Sequence, residues 1–147
     1  MKTKLLHEDG ERTYALIFDK GDEVVGELEA FAREHEIAAA RFTAIGAFND
    51  VNLGYFDREQ KDYVEIPVVE QVEVLSLLGD IAAKDGEPKV HAHVVIGGRD
   101  GGARGGHLLA AHVWPTLEVI VDESPEHLRR RVDEETGLPL IALEGVR

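Results

Sequence analysis

The sequence contains no cysteine, and this absence excludes several kinds of site. Without thiols there is no disulfide framework, no cysteine-based zinc site and no cysteine nucleophile. Such a chain suits a reducing compartment, so we expect a cytoplasmic protein. No apolar stretch approaches the roughly 20 residues needed to span a bilayer. The polar segment 1–12 also lacks the apolar core of a signal peptide, so we expect neither a membrane protein nor an exported one.

Positive charge is scarce as well. The chain has 29 acidic and 16 basic residues, which gives a formal net charge of −13. Proteins that bind nucleic acids obtain much of their affinity from basic residues that contact phosphates. The run of three arginines at 129–131 fits the solvated face of a helix better than a DNA footprint. We therefore disfavour nucleic acid as a partner.

The length fits one domain over residues 1–147, and the residue patterns predict an α+β fold. Apolar spacing predicts one long N-terminal helix over 22–36, with Asp22 as its N-cap. A serine–proline pair predicts a short C-terminal helix over 125–135. Runs of consecutive strands favour a mostly antiparallel sheet on which both helices pack. The predicted strands are 12–19, 39–48, 51–56, 63–69, 72–83, 90–96, 107–121 and 138–143, with a hairpin turn at 49–50.

Three histidines on two predicted strands can converge on one point. His91 and His93 are two residues apart, so both side chains lie on one face of their strand. A glycine-rich loop joins this strand to the next, and a turn centred near Asp100 puts His107 opposite His93 and diagonal to His91. Opposed Cβ atoms are about 4.5–5.5 Å apart and diagonal ones about 7–8 Å. At that spacing, three imidazoles can each reach one ion at about 2.0–2.1 Å.

The chemistry of imidazole indicates which ligand such a cluster would take. Neutral imidazoles bind zinc, copper, iron or nickel, and three of them leave a fourth position for water or substrate. We expect His91, His93 and His107 to bind a divalent metal, with zinc as the first choice. The alternative is that they are separate polar residues on a sheet face or at a subunit interface. Glu118 and His112 are further candidates, as residues that could orient a ligating imidazole from behind.

Several segments together resemble a known family. They are GDEVVGELEAFAREHEI, FTAIGAFNDVNLGYF, EVLSLLGDIA, PKVHAHVVIG and GGHLLAAHVWPTLEVIV. The combination of HxH, GGHL and a following TLEV is similar to the PPC (plant and prokaryote conserved) domain, a former domain of unknown function, in its stand-alone prokaryotic form. The resemblance implies an antiparallel sheet flanked by helices, a homotrimer, and a fold similar to part of α-acetolactate decarboxylase. It also implies that the histidines that carry a metal in some prokaryotic members correspond to His91, His93 and His107.

The resemblance also raises the question of DNA binding. In plants, a PPC domain follows an AT-hook, a short Arg-Gly-Arg-Pro element, in nuclear DNA-binding regulators. The present sequence has no Arg-Gly-Arg-Pro, and its nearest string, at 103–106, belongs to the glycine-rich loop. Three hypotheses therefore stay open. The first is a homotrimeric metal-binding protein that acts on a small-molecule ligand, the second is a non-catalytic oligomeric module for a partner or ligand, and the third, disfavoured by charge, is a DNA-binding protein.

Overall fold

The computed structural model describes residues 1–124 and 127–143. Within these ranges, nine strands form one sheet beside a single helix, and strands make up 67% of the structure. The elements are β1 Lys2–Glu8, β2 Arg12–Phe18, α1 Val24–Glu34, β3 Ala39–Asp57, β4 Asp62–Val68, β5 Val72–Lys84, β6 Glu87–Gly97, β7 Ala103–Glu123, β8 Arg129–Val132 and β9 Pro139–Ala142. The α+β prediction is therefore wrong, and the fold is mainly β. None of the described helical residues forms a segment long and apolar enough to cross a membrane.

The N-terminal helix is shorter than predicted. α1 has 11 residues, and its buried stripe consists of the predicted Val24, Leu28, Phe31 and Ala32. Its N-cap is Glu23 rather than Asp22, because the Glu23 carboxylate accepts hydrogen bonds from the backbone N–H groups of the first turn. The Asp22 carboxylate instead accepts from the N–H of Asp19. Glu36 follows the helix with a φ of 55°, a left-handed conformation that ends the helical path.

The hairpin predicted at 49–50 does not form. β3 continues as one strand from Ala39 to Asp57, because β7 runs antiparallel beside it and supplies pairing partners from Ala40 to Gly54. Asp50 stays in the strand opposite His112, and its carboxylate contacts that imidazole at 2.8 Å. The register of β3 and β7 shifts between Gly46 and Phe48 and again between Phe48 and Asp50, so β3 is irregular here but does not turn back.

The C-terminal helix predicted over 125–135 is also wrong. Residues 125 and 126 lie outside the described ranges, and the rest form β8 and a turn that leads into β9. The turn uses Gly137 at a φ of 77°, a conformation that glycine adopts without strain. A tertiary contact decides the outcome: the Arg130 guanidinium bonds to the Asp80 carboxylate on β5 and to the carbonyl oxygen of Pro139. A strand that starts near 138 was predicted, and β9 confirms it.

The central strands close on one another. β3 pairs with β5, β5 with β6, β6 with β7, and β7 again with β3, all of them antiparallel. The inward-facing side chains of this ring form the core together with the buried stripe of α1. On β6, Ala92, Val94 and Ile96 are buried, and the residues between them face outward. The outer face of β6 therefore carries His91 and His93.

Candidate metal centre

The three histidines meet on the outer surface, where β6 and β7 pair. His93 lies directly opposite His107, as the turn at 98–102 requires, so the predicted register is confirmed. His91 is two residues earlier on β6 and shares the face of His93. Gly79 allows the neighbouring β5 to pack closely, because a Cβ at that position would come within 2.7 Å of the His91 carbonyl oxygen. The strand geometry thus brings together the three residues that the sequence singled out.

The imidazole rings form a compact triangle. Their centroids are 5.2 Å apart for His91 and His93, 5.1 Å for His91 and His107, and 5.3 Å for His93 and His107. One ring nitrogen from each residue lies within 4.8 Å of the corresponding nitrogens of the other two. Nitrogen ligands sit about 2.0–2.1 Å from a bound zinc ion. The triangle therefore has the size and the chemistry of a three-histidine metal site.

The environment of His93 and His107 favours the neutral imidazole, which is the form that binds metals. Burial lowers the pKa of His107 to about 4, and the neighbouring His91, His93 and Arg130 act in the same direction. Burial, followed by the charge of His91, also lowers the pKa of His93. Both side chains are consequently neutral at pH 7, and a neutral imidazole offers a lone pair to a metal without first losing a proton.

A carboxylate stands behind His91. Asp80 lies opposite His91 on β5, and its Oδ2 is 3.8 Å from the His91 Nδ1. Its other oxygen bonds to Arg130, whose side chain is only 5% exposed. Burial opposes the charge on Asp80, but the His91 and Arg130 contacts prevail and lower its pKa. An ionised carboxylate behind an imidazole fixes the ring's orientation, as it does behind many metal-ligating histidines.

An aromatic side chain supports His107 in a comparable way. Tyr63 of β4 stacks on the His107 ring with centroids 4.6 Å apart, and its hydroxyl lies 3.4 Å from His107 Nδ1. Burial raises the pKa of Tyr63, so its hydroxyl stays protonated at neutral pH. For both His91 and His107, the Nδ1 atom thus lies near a polar group of the protein, which favours Nε2 as the nitrogen for a metal.

A cavity of about 220 Å³ opens beside the cluster. His91 and His107 form part of its wall, together with Arg130 and the lysines Lys84 and Lys89. The remaining wall is apolar or aromatic and comes from β4, β6 and the C-terminal hairpin: Tyr63, Val90, Leu138, Pro139 and Leu140. A small molecule in this cavity would touch two of the three imidazoles.

Comparison with known proteins identifies the family. The sequence profile of the Plants and Prokaryotes Conserved (PCC) domain matches residues 6–125. The chain belongs to the PCC domain family. This is the family named PPC above, and the match confirms the resemblance. No functionally curated protein matches the sequence.

Several solved structures are similar to this protein over nearly the whole chain. A plant- and prokaryote-conserved protein from Pyrococcus horikoshii is 32% identical, with a TM-score of 0.86 over 99% of this chain and 97% of its own. A metal-containing protein from Archaeoglobus fulgidus is 39% identical, with a TM-score of 0.84 over 97% of this chain and 100% of its own. A protein from Bacteroides thetaiotaomicron, described as a proposed DNA-binding protein, is 26% identical, with a TM-score of 0.87 over 97% and 98% of the two chains.

The expected likeness to α-acetolactate decarboxylase is present at the level of the fold. A Staphylococcus aureus protein described as similar to that enzyme is 12% identical, with a TM-score of 0.56 over 75% of this PCC chain and 51% of its own. At this identity the likeness concerns chain topology only and carries no information about activity.

The two weaker candidates lie elsewhere in this PCC domain. Glu118 is an exposed residue of β7 that pairs with Ile17 and Ile45, eleven positions along the strand from His107. Ile120, its neighbour on the same face of β7, is three strand spacings from His93 across β3 and β5, roughly 14 Å at about 4.8 Å each. His112 bonds to Asp50, which raises the pKa of the imidazole. The structure therefore brings neither Glu118 nor His112 to the three histidines.

Sequence reasoning missed Asp80, Tyr63 and Arg130 as neighbours of the cluster. A signal for Asp80 was present, because the segment KDGE at 84–87 has turn-forming residues and joins the predicted strands 72–83 and 90–96. Counting the pairing back from this segment puts residue 80 opposite residue 91, which is the register of β5 and β6. Tyr63 was missed because β4 pairs with the end of β3 that also pairs with His107, whereas the predicted hairpin at 49–50 paired 51–56 with 39–48. Arg130 was missed because the predicted C-terminal helix placed it on a solvated helix face.

Proposed function

We propose that this PCC protein is a single cytoplasmic domain, 1–147, that binds one divalent, zinc-like metal ion through His91, His93 and His107. The observation that carries the proposal is the convergence of three ring nitrogens within 4.8 Å of one another. The lowered pKa values of His93 and His107 support it, because neutral imidazoles are ready to bind a metal. The metal-containing relative from Archaeoglobus fulgidus adds support at the level of the family.

Three protein ligands leave one position on a tetrahedral ion for water or a small molecule. A zinc ion in such a site lowers the pKa of a bound water and polarises a bound carbonyl. The cavity beside His91 and His107 would give a small-molecule ligand access to that position. The Asp80 carboxylate would hold the His91 ring for the metal, and the Tyr63 hydroxyl would do the same for His107.

A non-catalytic ligand-binding module is the second candidate, and one observation favours it. None of the described residues that line the cavity is an aspartate or glutamate, so the wall offers no carboxylate as a general base. Asp80, the carboxylate behind His91, is engaged by Arg130. Metal-dependent binding of a ligand without its conversion would be the result expected for this candidate.

Metal selectivity tests the proposed site. Metal-free protein is dialysed separately against zinc, cobalt, nickel, magnesium and calcium, and bound metal is measured by elemental analysis. We expect close to one zinc, cobalt or nickel ion per chain and no stoichiometric magnesium or calcium, which prefer oxygen ligands. A chain that retains no zinc, or that retains magnesium equally well, would contradict a three-histidine site.

We further propose that the chain assembles as a homotrimer through the outer face of its sheet. This face carries an outer apolar patch, which we define as Ile17, Ile45, Leu78, Val95 and Ile120, all of them at least 38% exposed. Strand register joins the patch to the candidate metal site, because Ile120, Thr43, Leu78 and His93 form one row of paired residues across β7, β3, β5 and β6. The exposed Glu118 lies between Ile17 and Ile45 within this patch. Exposed apolar patches of this kind mark interaction surfaces.

A charge in the patch should dissociate the trimer. Ile45 is 61% exposed in the single chain, so Ile45→Asp leaves the fold of the protomer intact but buries a carboxylate when subunits associate. We expect light scattering at micromolar concentration to give the mass of three chains for the parent protein and of one chain for Ile45→Asp. Val69→Asp is the matched control, because Val69 is 88% exposed and lies outside the patch. A monomeric parent, or an Ile45→Asp protein with the parent's mass, would contradict this interface.

DNA binding is not part of the proposal. Two structurally similar proteins, from Bacteroides thetaiotaomicron and Ralstonia eutropha, are described as proposed DNA-binding proteins. The present chain carries a net charge of −13, which repels a phosphate backbone.

A further inference from the structure

The charge of the cavity beside His91 and His107 is opposite to that of the protein. Acidic residues outnumber basic ones by 29 to 16 in the whole chain. The cavity wall nevertheless includes Lys84, Lys89 and Arg130, and none of the acidic residues in the described ranges lines it. The positive charge of this cavity attracts anionic ligands, whereas the rest of the anionic protein surface repels them. Anions should therefore bind in the cavity in preference to the rest of the surface.

The three cations are not equivalent. The Arg130 guanidinium is bonded to Asp80, and the Lys89 Nζ lies 3.2 Å from a carboxylate oxygen of Glu29. Lys84 is half-buried at the end of β5, and within residues 1–124 and 127–143 no carboxylate forms an ion pair with it. Lys84 is therefore the cation of this cavity whose charge is available to a ligand.

Another part of the cavity wall is apolar. Val90 and the three hairpin residues 138–140 contribute Val, Leu, Pro and Leu side chains. The volume of about 220 Å³ corresponds to roughly seven water molecules at about 30 Å³ each, and it lies below the range of about 300–1,000 Å³ of drug-sized pockets. The ligand should accordingly be small, with a short hydrocarbon part.

We propose that the cavity binds a short-chain carboxylate, with its charged end between the metal and Lys84 and its alkyl chain against Leu138 and Leu140. This inference rests on the proposed metal function and names the ligand class of the same site. A carboxylate has two oxygens that can contact a metal ion and an ammonium at the same time, and each alkyl carbon would gain contact with the hairpin wall.

The test uses cobalt-loaded protein, whose visible spectrum reports a change of ligand at the metal. Acetate, propionate and butyrate are titrated, with neutral butyramide as the control for the alkyl chain. We expect butyrate to perturb the spectrum and butyramide to have little effect. Affinity should rise about fourfold for each added methylene, the equivalent of about 0.8 kcal/mol. Equal effects of butyrate and butyramide, or no gain with chain length, would overturn the assignment.

Variants locate the charge that selects the ligand. Lys84→Gln should weaken butyrate binding about tenfold while cobalt still binds, since a hydrogen bond to a charged group is lost. Lys4→Gln, an exposed substitution on β1 that makes the same change in net charge, should leave butyrate binding unchanged. Equal affinities in the Lys84→Gln and parent proteins would contradict the role of Lys84.

The failure of the metal function and the failure of the ligand assignment are distinguishable. If cobalt does not bind, the proposed metal function fails, and calorimetric titration of the metal-free protein with butyrate decides the ligand class separately. Heat that is lost in Lys84→Gln would support a carboxylate site, and absence of heat in the parent would overturn it.

Discussion

Replacement of His107 by alanine should lower zinc affinity by more than about 100-fold. Mutating a residue that only orients a metal ligand already lowers metal affinity about 10–100-fold, and His107 is proposed to be a ligand itself. His91→Ala and His93→Ala should have effects of the same size, since each removes one of three converging nitrogens. The measurements are zinc content after dialysis and the thermal midpoint with and without zinc. A metal that binds only the folded state raises stability, so the parent protein should melt at a higher temperature with zinc. The three variants should lose that increase.

His112→Ala is the matched control for this series. It also removes an imidazole from β7, but His112 faces Asp50 and lies apart from the three histidines. Its zinc content and its response to zinc should equal those of the parent protein. Loss of zinc in His112→Ala, or retention of one zinc per chain in His107→Ala, would show that the metal is bound elsewhere.

Asp80→Ala should be the most destabilising change near the site. It leaves the Arg130 guanidinium buried without its carboxylate, and the Arg130 Nε already has no hydrogen-bond partner among the described residues. Removing one partner of a buried ion pair costs about 3–5 kcal/mol, and the 27% exposure of the Asp80 side chain puts the expected loss near 3 kcal/mol. Urea unfolding of the metal-free protein measures it. Zinc affinity should also fall about tenfold, because His91 loses the carboxylate behind it.

Two further variants separate this effect from a general loss of charge. Asp122 pairs with the 81% exposed Arg41 and accepts a hydrogen bond from the Thr13 hydroxyl, so Asp122→Ala should cost about 1–2 kcal/mol, less than Asp80→Ala. Combining Asp80→Ala with Arg130→Met should recover much of the stability, since no unpaired charge then remains buried. Equal costs for Asp80→Ala and Asp122→Ala would contradict the assigned role of the Asp80–Arg130 pair.

The sequence was informative where local signals agree with the pairing of neighbouring strands. The HxH spacing and the turn near Asp100 were sufficient to predict that His93 faces His107, because a tight turn determines the register of the two strands it joins. The stripe of α1 was likewise visible as helical periodicity. These elements position the three histidines, so the candidate ligands could be named without coordinates.

The remainder depends on contacts between distant parts of the chain. Asn49 and Asp50 have the propensity for a turn, but the long strand β7 pairs with both sides of them and keeps β3 extended. Local signals also favoured a C-terminal helix, whereas β8 pairs with β5 and Arg130 bonds to Asp80, 50 residues earlier. Propensity is a weak guide where such tertiary contacts compete with it. The neighbours of the candidate metal site were therefore missed, while the convergence of its three histidines was predicted.

X-ray absorption spectroscopy of the zinc-loaded protein tests the three-histidine site most directly. We predict a first shell with three imidazole nitrogens at about 2.0–2.1 Å and one further light atom from water or a ligand. The imidazole count should fall in His107→Ala. A first shell dominated by carboxylate oxygens, or a spectrum unchanged by His107→Ala, would contradict the conclusion that His91, His93 and His107 together bind the metal.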